Sequence, residues 1–283
     1  MLTIFSIPEP FTEKIRRSRK NAINSWRRIQ PACEIILFGG DENVAEFALE
    51  TGIRHVPDVA RSPQGTPLLS DVFAKAQQLA QGDMLMFSNC DMLYFDDLRR
   101  AIEAVSFEQF MMCGRRLDLD VPDEVRFDDE ARWEELRRSL GRFGRMHSPA
   151  GIDFFIFPRA MRVDMPDLVV GRPGWDSWFI WYLRSRGVPV IDATGSISAL
   201  HQNHDYTHLK HGAKQYTGEE MQINYRLAGG MRNMLTLREA DWVFSQNKVV
   251  RPGWPGRLLS LLGPTAPYRL ALAAKRWLQQ KYN

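Results

Sequence analysis

The sequence predicts an α/β protein: a mixed, mainly parallel sheet flanked by helices. Three observations predict it. Short runs that are apolar at nearly every position alternate with longer segments whose apolar residues recur at helical spacing, the pattern of strands covered on both faces. The apolar runs stop abruptly at turn formers or polar residues (Pro8-Glu9-Pro10, Gly39-Gly40-Asp41, Asn89-Cys90-Asp91). The chain, at 283 residues, is long enough for one large domain or two modest ones of this class.

Each element follows from its own stretch. Leu2-Thr3-Ile4-Phe5-Ser6-Ile7 is a short buried strand, and the prolines at 8 and 10 end it. The next segment sets Ile15, Ala22, Ile23, Trp26 and Ile29 among many Arg and Lys, which makes an amphipathic helix. Cys33 to Phe38 is a second strand, residues 43–51 are helical, and Ile53-Arg54-His55-Val56 is a short third strand. From Pro67 to Gln81 a helix carries Leu68, Leu69, Val72, Phe73, Ala76 and Leu79 on one side. Met84 to Ser88 is the fourth strand and Gln109 to Gly114 the fifth. The acidic stretch Asp118 to Glu135 reads as a loop plus a surface helix, a solvated face. Asp153 to Phe157 is a strand closed by Pro158, Asp176 to Ser185 an aromatic-rich helix, and Val188 to Asp192 a strand after it. Gly229-Gly230 is a helix C-cap. No internal repeat appears, and no linker before about residue 247.

Composition narrows the function. A formal charge of +3 is too small for a general nucleic-acid binder. Arg251 to Asn283 holds six of the 37 basic residues and none of the 34 acidic ones, so the basicity belongs to a tail. Cys33, Cys90 and Cys113 form no paired motif, which points to a reducing compartment. The N-terminal stretch lacks the basic and long apolar regions of a signal peptide. The longest apolar run, Trp178 to Leu183, falls far short of the ~18 residues a spanning helix needs. The expected location is cytoplasmic.

Ligands of open α/β sheets sit beyond the carboxyl ends of the strands. Ser6, Asp41 and Asn89-Cys90-Asp91 fall there. A carboxylate at a strand tip is a fixed oxygen ligand for a hard divalent cation bridging phosphates; Asp91 equally fits a turn leading into the helix at Asp96-Asp97. His201, His204, His208 and His211 are spaced for one helix face. They read as a zinc site, as surface histidines, or, for His201, as a second ligand beside Asp91. Asp176, in Gly174-Trp175-Asp176-Ser177-Trp178, stands at a helix start amid aromatics. It is a helix cap, a general base raised by its apolar surroundings, or both. Trp175, Trp178 and Trp181 are core residues or a platform for a sugar ring. Gly65-Thr66, just before a helix, offers backbone N–H groups to an anion.

Taken in order, these motifs resemble the GT-A fold glycosyltransferases that use nucleotide-sugars, bacterial family 2-like. Asn89-Cys90-Asp91 looks like a degenerate Asp-x-Asp motif, with Asn89 where an aspartate is usual. Gly39-Gly40-Asp41 sits where that family places an acid against the base or ribose. Gly174-Trp175-Asp176 is similar to the acidic motif heading the acceptor-side helix, and His201 to Tyr206 to the histidine region that completes the metal site. The resemblance implies a domain over residues 1–247, with a nucleotide-binding half (1–110) and an acceptor-side half (111–247), and a basic amphipathic tail over 248–283. It implies Mn²⁺ or Mg²⁺ on Asp91, His201 and His204. Ser6, Asp41, Gly65, Thr66, Asn89, Asp91, Arg115 and Trp175 would contact a nucleotide-sugar, with UDP the expected nucleotide. Asp176 would be the base of an inverting transfer and Asp153 the reserve, and Arg116 would meet substrate oxygens beside Arg115. The acceptor would be a glycan or lipid-linked hydroxyl. The tail, with Trp254, Leu258, Leu259, Tyr268 and Trp277 among its cations, suits peripheral attachment to an anionic membrane at its inner face; packing on the body is the other reading. A nucleotidyltransferase fits less well, because Ser6 to Phe11 has neither glycine nor a basic residue. A zinc hydrolase or a sugar-binding module are the remaining classes.

Overall fold

The computed structural model describes residues 1–41, 43–203 and 218–253. In chain order the elements are β1 (Leu2–Ser6), α1 (Glu13–Arg27), β2 (Glu34–Phe38), α2 (Val44–Thr51), β3 (Arg54–Val56), α3 (Leu69–Leu79) and β4 (Met84–Ser88). There follow β5 (Met92–Tyr94), α4 (Asp97–Glu103), β6 (Met111–Cys113), β7 (Leu117–Leu119), α5 (Glu130–Phe143), β8 (Arg145–Met146) and β9 (Phe154–Pro158). The last are α6 (Trp175–Ser185), β10 (Val190–Asp192), β11 (Ala199–Gln202), α7 (Glu219–Leu227), β12 (Trp242–Ser245) and β13 (Lys248–Val250).

A nine-stranded sheet runs in the order β13-β12-β10-β6-β9-β4-β1-β2-β3. The block β3-β2-β1-β4 is parallel, with Ile4 opposite both Ile35 and Met86. β9 enters antiparallel between β4 and β6, β6, β10 and β12 are parallel again, and β13 closes the edge antiparallel. The expected mixed, mainly parallel sheet flanked by helices is what the chain forms. A second sheet, β5-β11-β7-β8, joins the core on one face.

Strands that are apolar throughout feed two cores at once, because successive side chains leave opposite faces. Leu2, Ile4, Ile35, Leu37, Met86, Phe154 and Ile156 pack on one side with Ala22, Ile23 and Trp26 of α1 and with α4. Phe5, Ile36, Phe38, Leu85, Phe87, Phe155 and Phe157 pack on the other with α3 and α6. Phe5 is the hub of the second core: its ring lies edge-on to Phe38, Phe73, Phe87 and Phe157, with centroids 5.2–6.4 Å away. Phe5→Ala is expected to lower the unfolding free energy by about 3–5 kcal/mol, read as a fall in the urea midpoint. An unchanged midpoint would show that this cluster adds nothing.

Several boundaries differ from the sequence reading, for local reasons. The third helix starts at Leu69, not Pro67, because Pro67 and Leu68 form bridges to Arg61 and Val169. Asp118 lies not in a solvated loop but in β7; the surface helix expected in that stretch is α5. The proposed boundary at 247 falls inside a hairpin, since Lys248–Val250 pair with β12. The glycines expected to cap α7 do so: Gly229 and Gly230 have φ of +78° and +84°, and the Gly230 N–H reaches back to Tyr225 O. Residues 254–283, which carry the membrane reading of the tail, lie outside the described residues. Among the described residues no helix is long and apolar enough to cross a membrane.

Candidate active site

Sheet register brings distant residues to one edge. Asn89-Cys90-Asp91 leaves the carboxyl end of β4. Because β9 is antiparallel, its entry point comes to the same place, and Asn89 N donates to Asp153 O at 2.9 Å. In the small sheet His201 stands opposite Asp118 on one side and Met92 on the other. The side chains then meet. Asp91 Oδ2 is 3.6 Å from His201 Nε2 and 3.3 Å from Arg19 Nη1. His201 Nδ1 is 3.1 Å from Asp118 Oδ1. Arg116 Nε donates to Asp118 at 2.9 Å, and its Nη1 to Asp153 Oδ2 at 2.9 Å. Asn89 Nδ2 donates to Asp153 Oδ1 at 2.5 Å. Arg19, Asp91, Asp118, Asp153 and His201 are all buried. Charges taken out of water persist only when paired, and here they alternate in sign along the chain of contacts.

The electrostatics follow from these neighbours. Burial alone would raise Asp118, but the hydrogen bond with His147 and the charges of Arg116 and His201 outweigh it and hold the carboxyl below its usual range. Burial would lower His201, yet the Asp91 carboxylate overrides it, so the imidazole binds its proton more tightly than usual. Asp176, half-buried in the first turn of α6, is pushed up to about 6, chiefly by burial. The Asp153 charge adds to the rise, and the backbone N–H groups of Ser177, Asp176 and Gly174 oppose it. The two carboxyl groups therefore sense each other.

A divalent cation would find two side chains here. The separation of Asp91 Oδ2 and His201 Nε2 is one that two ligands at about 2.1 Å from a single ion can span. Magnesium-type ions commonly take one or two protein ligands and complete their shell with water and substrate phosphate. Asp91 and His201 fit that partial set, with the Arg19 guanidinium sharing the same carboxylate oxygen. Among the described residues no group of three or more His, Cys, Asp or Glu is arranged to hold a metal by itself. His204, His208 and His211 lie outside the described residues.

No protein-family model and no curated protein matches the chain. Solved structures align with it. Glucosyl-3-phosphoglycerate synthase of M. tuberculosis is similar at 11% identity and a TM-score of 0.44 over 81% of either chain. A Desulfovibrio desulfuricans G20 structure named for nucleotide-diphospho-sugar transfer is similar at 12% and 0.43, over 81% of this chain and 96% of that one. S. aureus TarS, residues 1–349 with UDP, is similar at 12% and 0.33, over 44% of this chain and 39% of that one. At this identity a shared chain path carries no catalytic residue with it.

The other expected contacts scatter. Asp41, at the end of β2, pairs with Arg61 at 3.0 Å and keeps a place at the sheet edge. Ser6 is fully buried near the Cys90 thiol, which burial pushes up to about 12. Thr66 is committed elsewhere: its hydroxyl donates to Glu220, as does that of Ser62. The N–H of Leu69, which begins α3, bonds to Leu168 O. The expected anion cradle at Gly65-Thr66 is thus a turn clasped to α7. Trp175 is 6% exposed and lies against Phe87 and Phe155, so its ring is core and not a sugar platform. Arg115 spends its guanidinium on His147 O at 2.6 Å. Asp153 has one oxygen on Asn89 and the other on Arg116.

Three members of the network were missed. Arg19 lies one turn from Ile15 and one from Ile23, on the apolar face of α1; a cation there was a signal of a buried partner. Leu117-Asp118-Leu119 alternates as a strand would, which could have separated Asp118 from the acids after it. Gln202 had no signal of its own. It donates to Ser18 O at 2.7 Å and Asp91 O at 3.1 Å and accepts from Asn21 at 2.9 Å, tying α1 to the tip.

Proposed function

We propose that the protein transfers a sugar from a nucleotide-sugar, UDP-linked, to a hydroxyl of an acceptor, with a divalent cation on the diphosphate. The observation that carries this is the meeting of Asp91 with His201 at a sheet edge, in a network whose Asp153 senses the raised carboxyl of Asp176. Asp91 and His201 would hold the cation, which when bound would offset the charge developing on the leaving diphosphate. Asp41 and Arg61 would face base or ribose at the end of β2. Asp153, fixed by Asn89 and Arg116, would order the floor between donor and acceptor. Asp176 would take the acceptor proton, which makes the transfer inverting.

A thermal-shift screen of nucleoside diphosphates and nucleotide-sugars, with and without Mn²⁺, tests the reading. A ligand at a hundred times its Kd is expected to add about 2.7 kcal/mol of stability. No shift with any nucleotide would end it.

A further inference from the structure

A cavity of about 350 Å³ opens beside the buried network, lined among others by Arg116, Asp118, Arg145, His147, Ser148 and His201. Its lining carries two guanidiniums and one carboxylate before either imidazole is counted. Arg116 is engaged by Asp118 and Asp153, and His201 lies between Asp91 and Asp118. Arg145 differs. It is exposed at the cavity and makes no ion pair among the described residues.

His147 is built into position. Its Nδ1 lies 3.0 Å from Asp118 Oδ2, which leaves Nε2 for a ligand. Its backbone is pinned on both sides, the N–H to Arg116 O at 3.0 Å and the carbonyl to Arg115 Nε. The ring passes so close over Gly151 that a Cβ there would stand 2.1 Å from His147 Cδ2, so only glycine leaves it room. A guanidinium with no ion pair among the described residues and an oriented imidazole, both lining one cavity, match the oxygens of a phosphate group.

The cavity touches the proposed cation site at His201, but neither Asp41 nor Arg61 lines it. Base and ribose would lie toward β1 and β2, where Asp41 and Arg61 stand. Most of the cavity's other walls come from β7, β8 and the residues beside them, Arg116, Asp118, Arg145 and His147. We infer that it is an acceptor subsite for an oxyanion, so that the acceptor hydroxyl belongs to a phosphate-bearing molecule held by Arg145 and His147. This rests on the transferase reading above.

The test is calorimetric binding of inorganic phosphate to the full chain, alone and with saturating UDP and Mg²⁺. Phosphate is expected to bind in both conditions. Arg145→Glu is expected to weaken it by at least about tenfold and Arg145→Lys by less, as loss of a charge-assisted hydrogen bond implies, with UDP binding unchanged in both variants. Displacement of phosphate by UDP would overturn the inference, since the cavity would then be the donor's diphosphate site. So would phosphate affinity unchanged in Arg145→Glu. Phosphate lost on Arg145→Glu in a protein that binds no nucleoside diphosphate would support the anion site and overturn the transferase reading, so the two failures are distinguishable.

Discussion

Asp91→Asn is expected to lower sugar transfer by about 10²–10³-fold while the fold persists. Asparagine keeps the shape of the side chain at the tip of β4 and removes its charge. Two cationic partners then each lose one of two carboxylates, and His201 keeps Asp118. Arg19 retains Glu9 at 2.8 Å, which is why the variant should still fold. His201 loses the carboxylate that outweighs its burial, and its proton affinity should fall. A cation bridging to a diphosphate would be left with the imidazole alone, so the Mn²⁺-dependent part of any nucleotide thermal shift should vanish together with turnover. Asp91→Ala is the harsher change, because it removes the side chain beside a guanidinium only 3% exposed, and truncating a buried pair can cost about 3–5 kcal/mol. Comparing the two separates chemistry from folding: wild-type turnover in the asparagine variant would sink the assignment of Asp91.

The outline of this site was readable because its strands are simple. Met84 to Phe87 and Phe154 to Phe157 are apolar without a break, which marks them as central and places Asn89, Asp91 and Asp153 at their ends. Asp176 was marked by its position at the head of an aromatic helix. Pairing was not readable. Arg19 meets Asp91, and Asp118 meets His201, only because β5, β11 and β7 lie side by side in a second sheet made of strands of two to four residues. Such strands carry too little alternation to announce themselves. Local pattern also misled where a side chain had a distant partner. Gly65-Thr66 looks like the entry to an anion-binding helix until Glu220, at the start of α7, takes the hydroxyl. Trp175 reads equally as core or as a sugar platform until β4 and β9 bring Phe87 and Phe155 against it.

Asp176→Asn should separate catalysis from stability most clearly, because the two respond with opposite sign. The carboxyl is pushed up to about 6, so an activity that needs its ionised form rises as pH climbs through that value and levels off above it. Asparagine cannot accept the acceptor's proton. Its kcat is expected to fall about 10²–10⁴-fold, and the rise near pH 6 should disappear from the pH–rate profile. Stability runs the other way. The folded protein holds this proton more tightly than the unfolded chain, where the carboxyl has its ordinary value of 3.8. Its contribution is therefore fully present below that value and lost as pH rises through about 6. The α6 N-terminus favours a negative charge here by about 0.3–1 kcal/mol, yet the carboxyl remains elevated, so burial and the Asp153 charge win over the helix dipole and the backbone N–H groups. The asparagine variant should accordingly melt above the wild type at pH 8, with the gap closing toward pH 4. A helix cap without a catalytic role predicts something else: near-normal turnover, an unchanged pH profile, and a variant no more stable than the parent at pH 8.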